Sequence, residues 1–369
     1  MAYDIGELPL GTLLPALARA EDQLARLDEV VRRSPVGEGY AERGHFFDAA
    51  ATMWVAGQLV HVEDLVLHDA RMDVRAPTHE LILAHSIVRS RRRIAGEDPD
   101  WAVRDGSIAV LAGIGRRATS MPVASGGGEG PAEPDDDEHS FTDEFAEIDA
   151  ILSRSKRALD DYAAGASREP EKEWPLMVGE LVIRDPQWDE QDRLAQWRRV
   201  MSDVASAPPT LAAAVLFDAW EALEPLQNQH ALGGQLVAAY LRFRGKVESH
   251  LPTFSVGLKA IVRERRRARD RATRLVAFLD ALSLAAEGGL KEIARLAQAS
   301  DQMERRLRGR RASSSLPAAI ELVLQRPVVS AEMVAKAAKV TPRGALNLIA
   351  DLGIREMTGR GRYRAWGIV

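Results

Sequence analysis

Ser330-Ala-Glu-Met-Val-Ala-Lys-Ala-Ala-Lys-Val-Thr341-Pro-Arg-Gly-Ala-Leu-Asn-Leu-Ile-Ala-Asp-Leu-Gly353 decides how the last part of this chain folds. A serine oxygen accepts hydrogen bonds from the open N–H groups of a first helical turn. Ser330 therefore starts a helix, and Glu332 sits in that turn, where the helix dipole favours a carboxylate. The helix turns Met333, Val334 and Ala337 inward, and Val340 closes the turn after it. Thr341 caps the next helix, and Pro342 takes its first position, where the missing N–H costs nothing. Ala345, Leu346 and Ile349 form the buried face expected of that helix, and Gly353 supplies the left-handed residue that ends it.

The flanks complete the pattern. Upstream, the serines of 313–315 precede a helix bearing Ile320, Val323 and Leu324, closed by Pro327 and followed by the β-branched pair Val328-Val329. Downstream, Ile354–Thr358 and Tyr363–Trp366 read as two short strands around the Gly-rich basic hairpin Gly359-Arg-Gly-Arg362. Three helices and a hairpin over residues 312–369 make a winged helix-turn-helix. Such a module slots its last helix into the major groove of double-stranded DNA. Arg343 and Asn347, four apart and so on one face, are placed for guanine and adenine edges. Thr341 and the helix N-terminus are placed for phosphate, and Arg360, Arg362 and Arg364 for the backbone or the minor groove.

Charge is distributed to match. Residues 261–369 hold 22 Lys and Arg against 11 Asp and Glu, and residues 1–260 hold 27 against 43. An acidic body joined to a basic third is the asymmetry expected when one part meets a polyanion. The 369 residues suffice for two or three cores, and their Ala-, Leu- and Arg-rich, aromatic-poor composition favours helix. The chain has no cysteine, which excludes disulfides, thiolate zinc sites and cysteine nucleophiles. No apolar run reaches the roughly 18 residues of a membrane span and no signal peptide opens the chain, so a soluble cytoplasmic protein is expected.

Four regions follow from the pattern. Residues 1–118 form an N-terminal helical region, in which 45–95 read as two long helices, the second with Pro77 in its first turn and a basic last turn, Arg89–Arg93. Residues 119–142, with Ser125-Gly-Gly-Gly-Glu-Gly-Pro131 and Asp135-Asp-Asp-Glu138, form a flexible acidic linker. Residues 143–311 form a second helical domain, beginning with a helix near Asp143–Asp161. Its Arg263–Arg271 run is a solvated surface that could face phosphate, and the helices around Val256–Leu284 offer a homodimer interface. Residues 312–369 are the DNA-binding module.

Residues 217–369 resemble the C-terminal half of bacterial Fic-fold proteins that end in a winged helix. The resemblance runs from Trp220 through Gln235–Leu241, Gly245, Leu251–Ala260 and Pro327-Val-Val-Ser330 to Gly359–Arg362, with Val62-Glu63 where such proteins carry Ile-Glu-Gly. The whole chain also resembles bacterial proteins that carry a run like His61–Arg71 and a C-terminal helix-turn-helix. Fic enzymes transfer a nucleotide monophosphate to a protein hydroxyl. Their motif supplies a His base, an acidic magnesium ligand and a Gly/Asn/Arg phosphate cradle. Here His230-Ala-Leu-Gly-Gly-Gln-Leu-Val237 keeps His230 and lacks the acidic residue, the Asn and both Arg. The resemblance thus implies a kept scaffold with lost catalysis.

His61 and His68, and His79 and His85, lack the four-residue spacing of helical zinc ligands, so no metal or other cofactor is expected. Asp69, Arg71 and Arg75 are candidates for an anionic effector pocket, with surface ion pairs as the default. The expectation is a mainly α protein, a degenerate Fic-like helical body carrying a winged helix, that acts as a homodimeric transcriptional regulator. The alternatives are a nucleotide-transferring (AMPylating) or toxin-like enzyme with an unconventional site, and a protein-interaction adaptor.

Overall fold

Leu13, Leu17, Ala20, Leu24, Leu27 and Val31 recur every three or four residues and are all buried, which is why Leu10–Arg33 folds as the long amphipathic helix α1. The computed structural model describes residues 3–72, 76–111, 188–227, 231–307, 315–358 and 364–368. The linker and the Asp143–Asp161 helix expected from the sequence lie outside them, as do Arg75, His230, Arg360 and Arg362.

After α1 come α2 (Gly37–Val55), α3 (Val62–Asp69), α4 (His79–Gly96), a 3-10 turn at Trp101–Val103 and α5 (Asp105–Leu111). The two long helices expected over 45–95 are three. Gly57, at φ +86°, breaks the first in a conformation that side chains rarely adopt. Pro77 stands before the helix rather than in its first turn: Thr78 is the N-cap, and its hydroxyl accepts the Leu81 N–H at 3.3 Å.

The body continues with α6 (Glu190–Asp203), α7 (Pro209–Leu223), α8 (Leu232–Phe243), α9 (Phe254–Ala260), α10 (Arg263–Arg266) and α11 (Arg271–Leu307). α7 is apolar on nearly every side and runs through the middle of the core, as such a helix must. Its Phe217 meets the rings of Phe254 and Phe278 edge-on at 4.9 and 4.8 Å, and its Trp220 meets Trp197 at 5.5 Å. Its one buried acid, Asp218, accepts from Arg274 at 2.6 Å and from the Tyr3 hydroxyl at 2.7 Å.

The sequence reading places residues 1–118 and 143–311 in successive regions. In the structure 3–111 and 188–307 interleave around one core, with α1 along α11 and α9 packed against both α2 and α11. This packing also buries much of the apolar surface of the segment Val256–Leu284, where a homodimer interface is expected, and leaves Val262 and Leu284 exposed. Leu258, Ile261, Leu275, Phe278, Leu279 and Leu282 are all buried against their own chain.

The C-terminal module is α12 (Leu316–Gln325), β1 (Val329–Ser330), α13 (Ala331–Ala338), α14 (Pro342–Leu352), β2 (Arg355–Glu356) and β3 (Ala365–Gly367). β3 lies between the other two strands, antiparallel to both, with Val329 opposite Trp366 and Arg355 opposite Gly367. The mainly α fold and the small C-terminal sheet are those expected, with both wing strands shorter than read from the sequence.

His45 and His250 are buried in the body. Burial lowers both imidazoles, His45 helped by Arg91 and Arg92, His250 to about 4 against the pull of Asp28. Both are neutral in the fold, whereas the unfolded chain takes up these protons near pH 6.5. Stability is therefore complete above that pH and is lost as pH drops below it, for His250 down to about 4 and by about 1 kcal/mol per pH unit. Urea midpoints measured from pH 8 to pH 5 should fall, and should fall less steeply in His250→Gln.

Candidate nucleic-acid interface

Three backbone devices fix the α13–α14 pair. The Ser330 hydroxyl accepts the Met333 N–H at 3.1 Å, Lys339 turns the chain at φ +54°, and the Thr341 hydroxyl accepts the Gly344 N–H at 3.2 Å. Gly353, at φ +66°, closes α14 with its N–H on Ile349 and Ala350. Within this frame Met333, Val334 and Ala338 point inward on α13, with Ala337 only partly covered. On α14 the inward positions are Ala345, Ile349 and Leu352.

Leu346 corrects the sequence reading. It lies one position past Ala345, about 100° round the helix, and is 43% exposed rather than buried. The outer face of α14 thus carries Arg343, Leu346, Asn347 and Ala350, with Thr341 exposed at its N-terminal end. Neither Arg343 nor Asn347 has a side-chain hydrogen bond or ion pair among the described residues. Arg364 differs. It donates to Glu356 at 2.6 Å, and its guanidinium lies 5.1 Å from the Trp366 ring. The remaining wing arginines, Arg360 and Arg362, are outside the described residues.

Most other arginines near the module are used to seat it on the body. Arg43 of α2 donates to Glu292 at 3.1 Å and to the carbonyls of Val323 and Arg326 at the end of α12. Arg295 grips Glu292 at 2.7 and 2.9 Å and donates to the Ile368 carbonyl. Arg326 donates to both Glu42 and Asp69 at 2.9 Å, and Arg92 donates to the same two acids at 2.6 Å. His85 Nε2 stands 3.1 Å from Asp69. Burial alone would raise the Asp69 carboxyl; the hydrogen bonds from His85 and Arg92 and the charges of Arg92 and Arg326 outweigh it and hold it well below the usual range. Arg306, at the end of α11, donates to the Leu352 carbonyl at 3.0 Å, a cation on the negative end of α14.

Sequence reasoning missed this junction and misread parts of it. Asp69, taken as a candidate effector contact, is filled by protein partners. The Arg89–Arg93 run is not a simple helix-end cluster: Arg91 is fully buried on Asp48 at 2.6 Å, and Arg92 belongs to the junction. The Arg263–Arg271 run lies at the opposite end of α11 from Arg306, along about 50 Å of helix, so the two ends serve different surfaces. Within it Arg265 pairs with Asp280 at 2.7 Å. Among the described residues no three His, Asp or Glu side chains are grouped to hold a metal ion, and no helix is long and apolar enough to cross a membrane.

Comparison with known proteins agrees with this division. Residues 316–369 match a family described as "HTH DNA binding domain", and residues 182–308 match one described as "Protein of unknown function (DUF1612)". Over their full lengths the chain is 43% identical to "Uncharacterized protein y4cF" of Sinorhizobium fredii (strain NBRC 101917 / NGR234). The C-terminal module is a helix-turn-helix DNA-binding domain.

The geometry separates fold from contact on α14. Thr341→Ala removes a cap and is expected to cost about 1 kcal/mol, whereas Arg343→Ala removes an exposed side chain and should change stability by less than about 0.5 kcal/mol. Urea denaturation of both variants measures the difference.

Proposed function

Because this chain belongs to the same family as the rhizobial y4cF protein and ends in a helix-turn-helix DNA-binding domain, we propose that it is a transcriptional regulator that reads duplex DNA through the outer face of α14. The observation that carries this reading is the contrast in how the arginines are used. Arg43, Arg92, Arg295, Arg306 and Arg326 are all engaged within the chain, while Arg343 projects from a capped helix beside Asn347 with no partner among the described residues. Guanine O6 and N7 suit the first side chain, adenine N6 and N7 the second. The exposed Leu346 between them suits a thymine methyl.

The regulator is proposed to act as a homodimer on two half-sites about one DNA turn apart. Its body is proposed to be Fic-like in descent and without nucleotide transfer. Two features support the absence of transfer: the motif residues missing after His230, and the packing of the helix that follows it. A Cβ on Gly233 would stand 2.3 Å from Cδ1 of Trp220, so the indole covers the first turn of α8, and Leu232–Gln235 are buried. That turn has no room for a phosphate.

Sites selected from genomic DNA provide the test, with affinity followed by fluorescence anisotropy. Arg343→Ala is expected to cost roughly 1–3 kcal/mol on the selected site, about 5- to 150-fold in Kd, and far less on random duplex. Arg360→Ala should weaken both duplexes alike and flatten the salt dependence. Equal losses from both substitutions on both duplexes would remove the assigned roles. The body is checked separately: purified protein with magnesium and labelled ATP should modify neither itself nor a lysate, and label that disappears in His230→Ala would restore the enzymatic reading.

A further inference from the structure

The face of α2 that carries Arg43, Phe47, Ala50 and Trp54 does not close fully on the module beside it. A cleft of about 420 Å³ remains, walled by α2, the segment 59–63 and α11 on one side and by Val328, Met357 and Ile368 of the winged helix on the other. That volume lies within the range of small-molecule sites, which concentrate where two modules meet. We propose that this cleft binds a small organic monocarboxylate with a flat apolar body, as an effector of the regulator.

Three observations select that chemistry. The walls are apolar yet uncovered: Trp54, Leu59 and Met357, all on this cleft, are large hydrophobic groups that are 41, 70 and 42% exposed. A flat hydrocarbon body seated there would remove that surface from water. The polar groups are cationic in excess. Arg43 and Arg295 share one carboxylate, Glu292, and Lys259, 5.5 Å from the Trp54 ring, has no acidic partner among the described residues. Among the described residues Glu63 is the one acid on the lining, so three cations face two carboxylates there and a single negative charge balances them. Finally, Arg43 lines the cleft although it is almost wholly buried, with Nε on Glu292 and Nη1 on the Val323 and Arg326 carbonyls. A carboxylate oxygen is the natural acceptor for such a group.

The position supplies the regulation, which rests on the regulator reading above. Arg43 and Arg295 also hold the carbonyls of Val323, Arg326 and Ile368, so an anion drawing on these guanidinium groups acts on the seat of the DNA-binding module. A ligand that binds the two seatings unequally shifts DNA affinity by that difference.

Phenylacetate and its neutral amide, titrated into the full-length protein by calorimetry, test the site. Phenylacetate should bind saturably and at least about tenfold more tightly than phenylacetamide, as expected for one charge-assisted contact. Trp54→Ala and Lys259→Gln should each weaken it by a similar factor without lowering the Tm of the unliganded protein. Equal binding of acid and amide, no binding of either, or binding indifferent to both substitutions would overturn the proposal. So would a sedimenting dimer that Trp54→Ala dissolves, since the cleft would then belong to a second copy of the chain. Anisotropy on the selected duplex separates the layers. Ligand binding with unchanged DNA affinity would sustain the site and overturn its coupling. A protein that binds phenylacetate and no DNA would sustain the site and overturn the regulator reading.

Discussion

A guanidinium taken out of water must end beside a carboxylate or among carbonyls, because an uncompensated buried charge costs several kcal/mol. Arg43 meets that requirement with one acid from α11 and two carbonyls from the end of α12, and so ties three separate elements to one point. Arg326 repeats the arrangement from the other side, reaching back from the winged helix to Glu42 and Asp69 of the body. Gly39 lets the backbones meet between these contacts: a Cβ there would stand 2.9 Å from the Leu324 carbonyl. The seat of the DNA-binding module is therefore specified by directional bonds. Apolar contact alone would leave its orientation far less defined.

This use of arginine changes what the charge asymmetry means. The basic excess of the last third reads as a surface for polyanions, yet much of it is structural. Arg265 is on Asp280, Arg274 on Asp218, Arg295 on Glu292 and Arg326 on Asp69. Arg306 sits on a helix end. On the proposed reading, what remains for DNA is a smaller set in which position matters more than number, with Arg343 at its centre. Even Arg364, on the wing, must exchange Glu356 for any phosphate it meets.

The C-terminal module was legible in the sequence because its signals are local. Ser330, Thr341, Pro342 and Gly353 each act within one helical turn, and each is found in its expected role. Leu346 was misread because residue type argued for burial while helical phase set it outside. The junction was illegible for a different reason. Arg43 and Glu292 are 249 positions apart, and nothing in either neighbourhood names the other. The same distance in sequence hid the interleaving of α1 with α11, since the linker-like stretch between the body's two halves suggested a division that their shared core does not make. His230, on which the Fic-like reading of the body turns, lies outside the described residues, and the buried first turn of the next helix is what bears on it.

α11 runs without interruption for 37 residues, from the Arg271–Asp218 pair near the first residues of the chain to the Arg306 contact with Leu352. A rod about 50 Å long works as a lever: a tilt of about 5° at one end sweeps the other through about 4 Å, close to the rise of a single base pair. On the proposed reading, in which α14 meets the bases, α11 thus joins the far pole of the body to the end of the recognition helix.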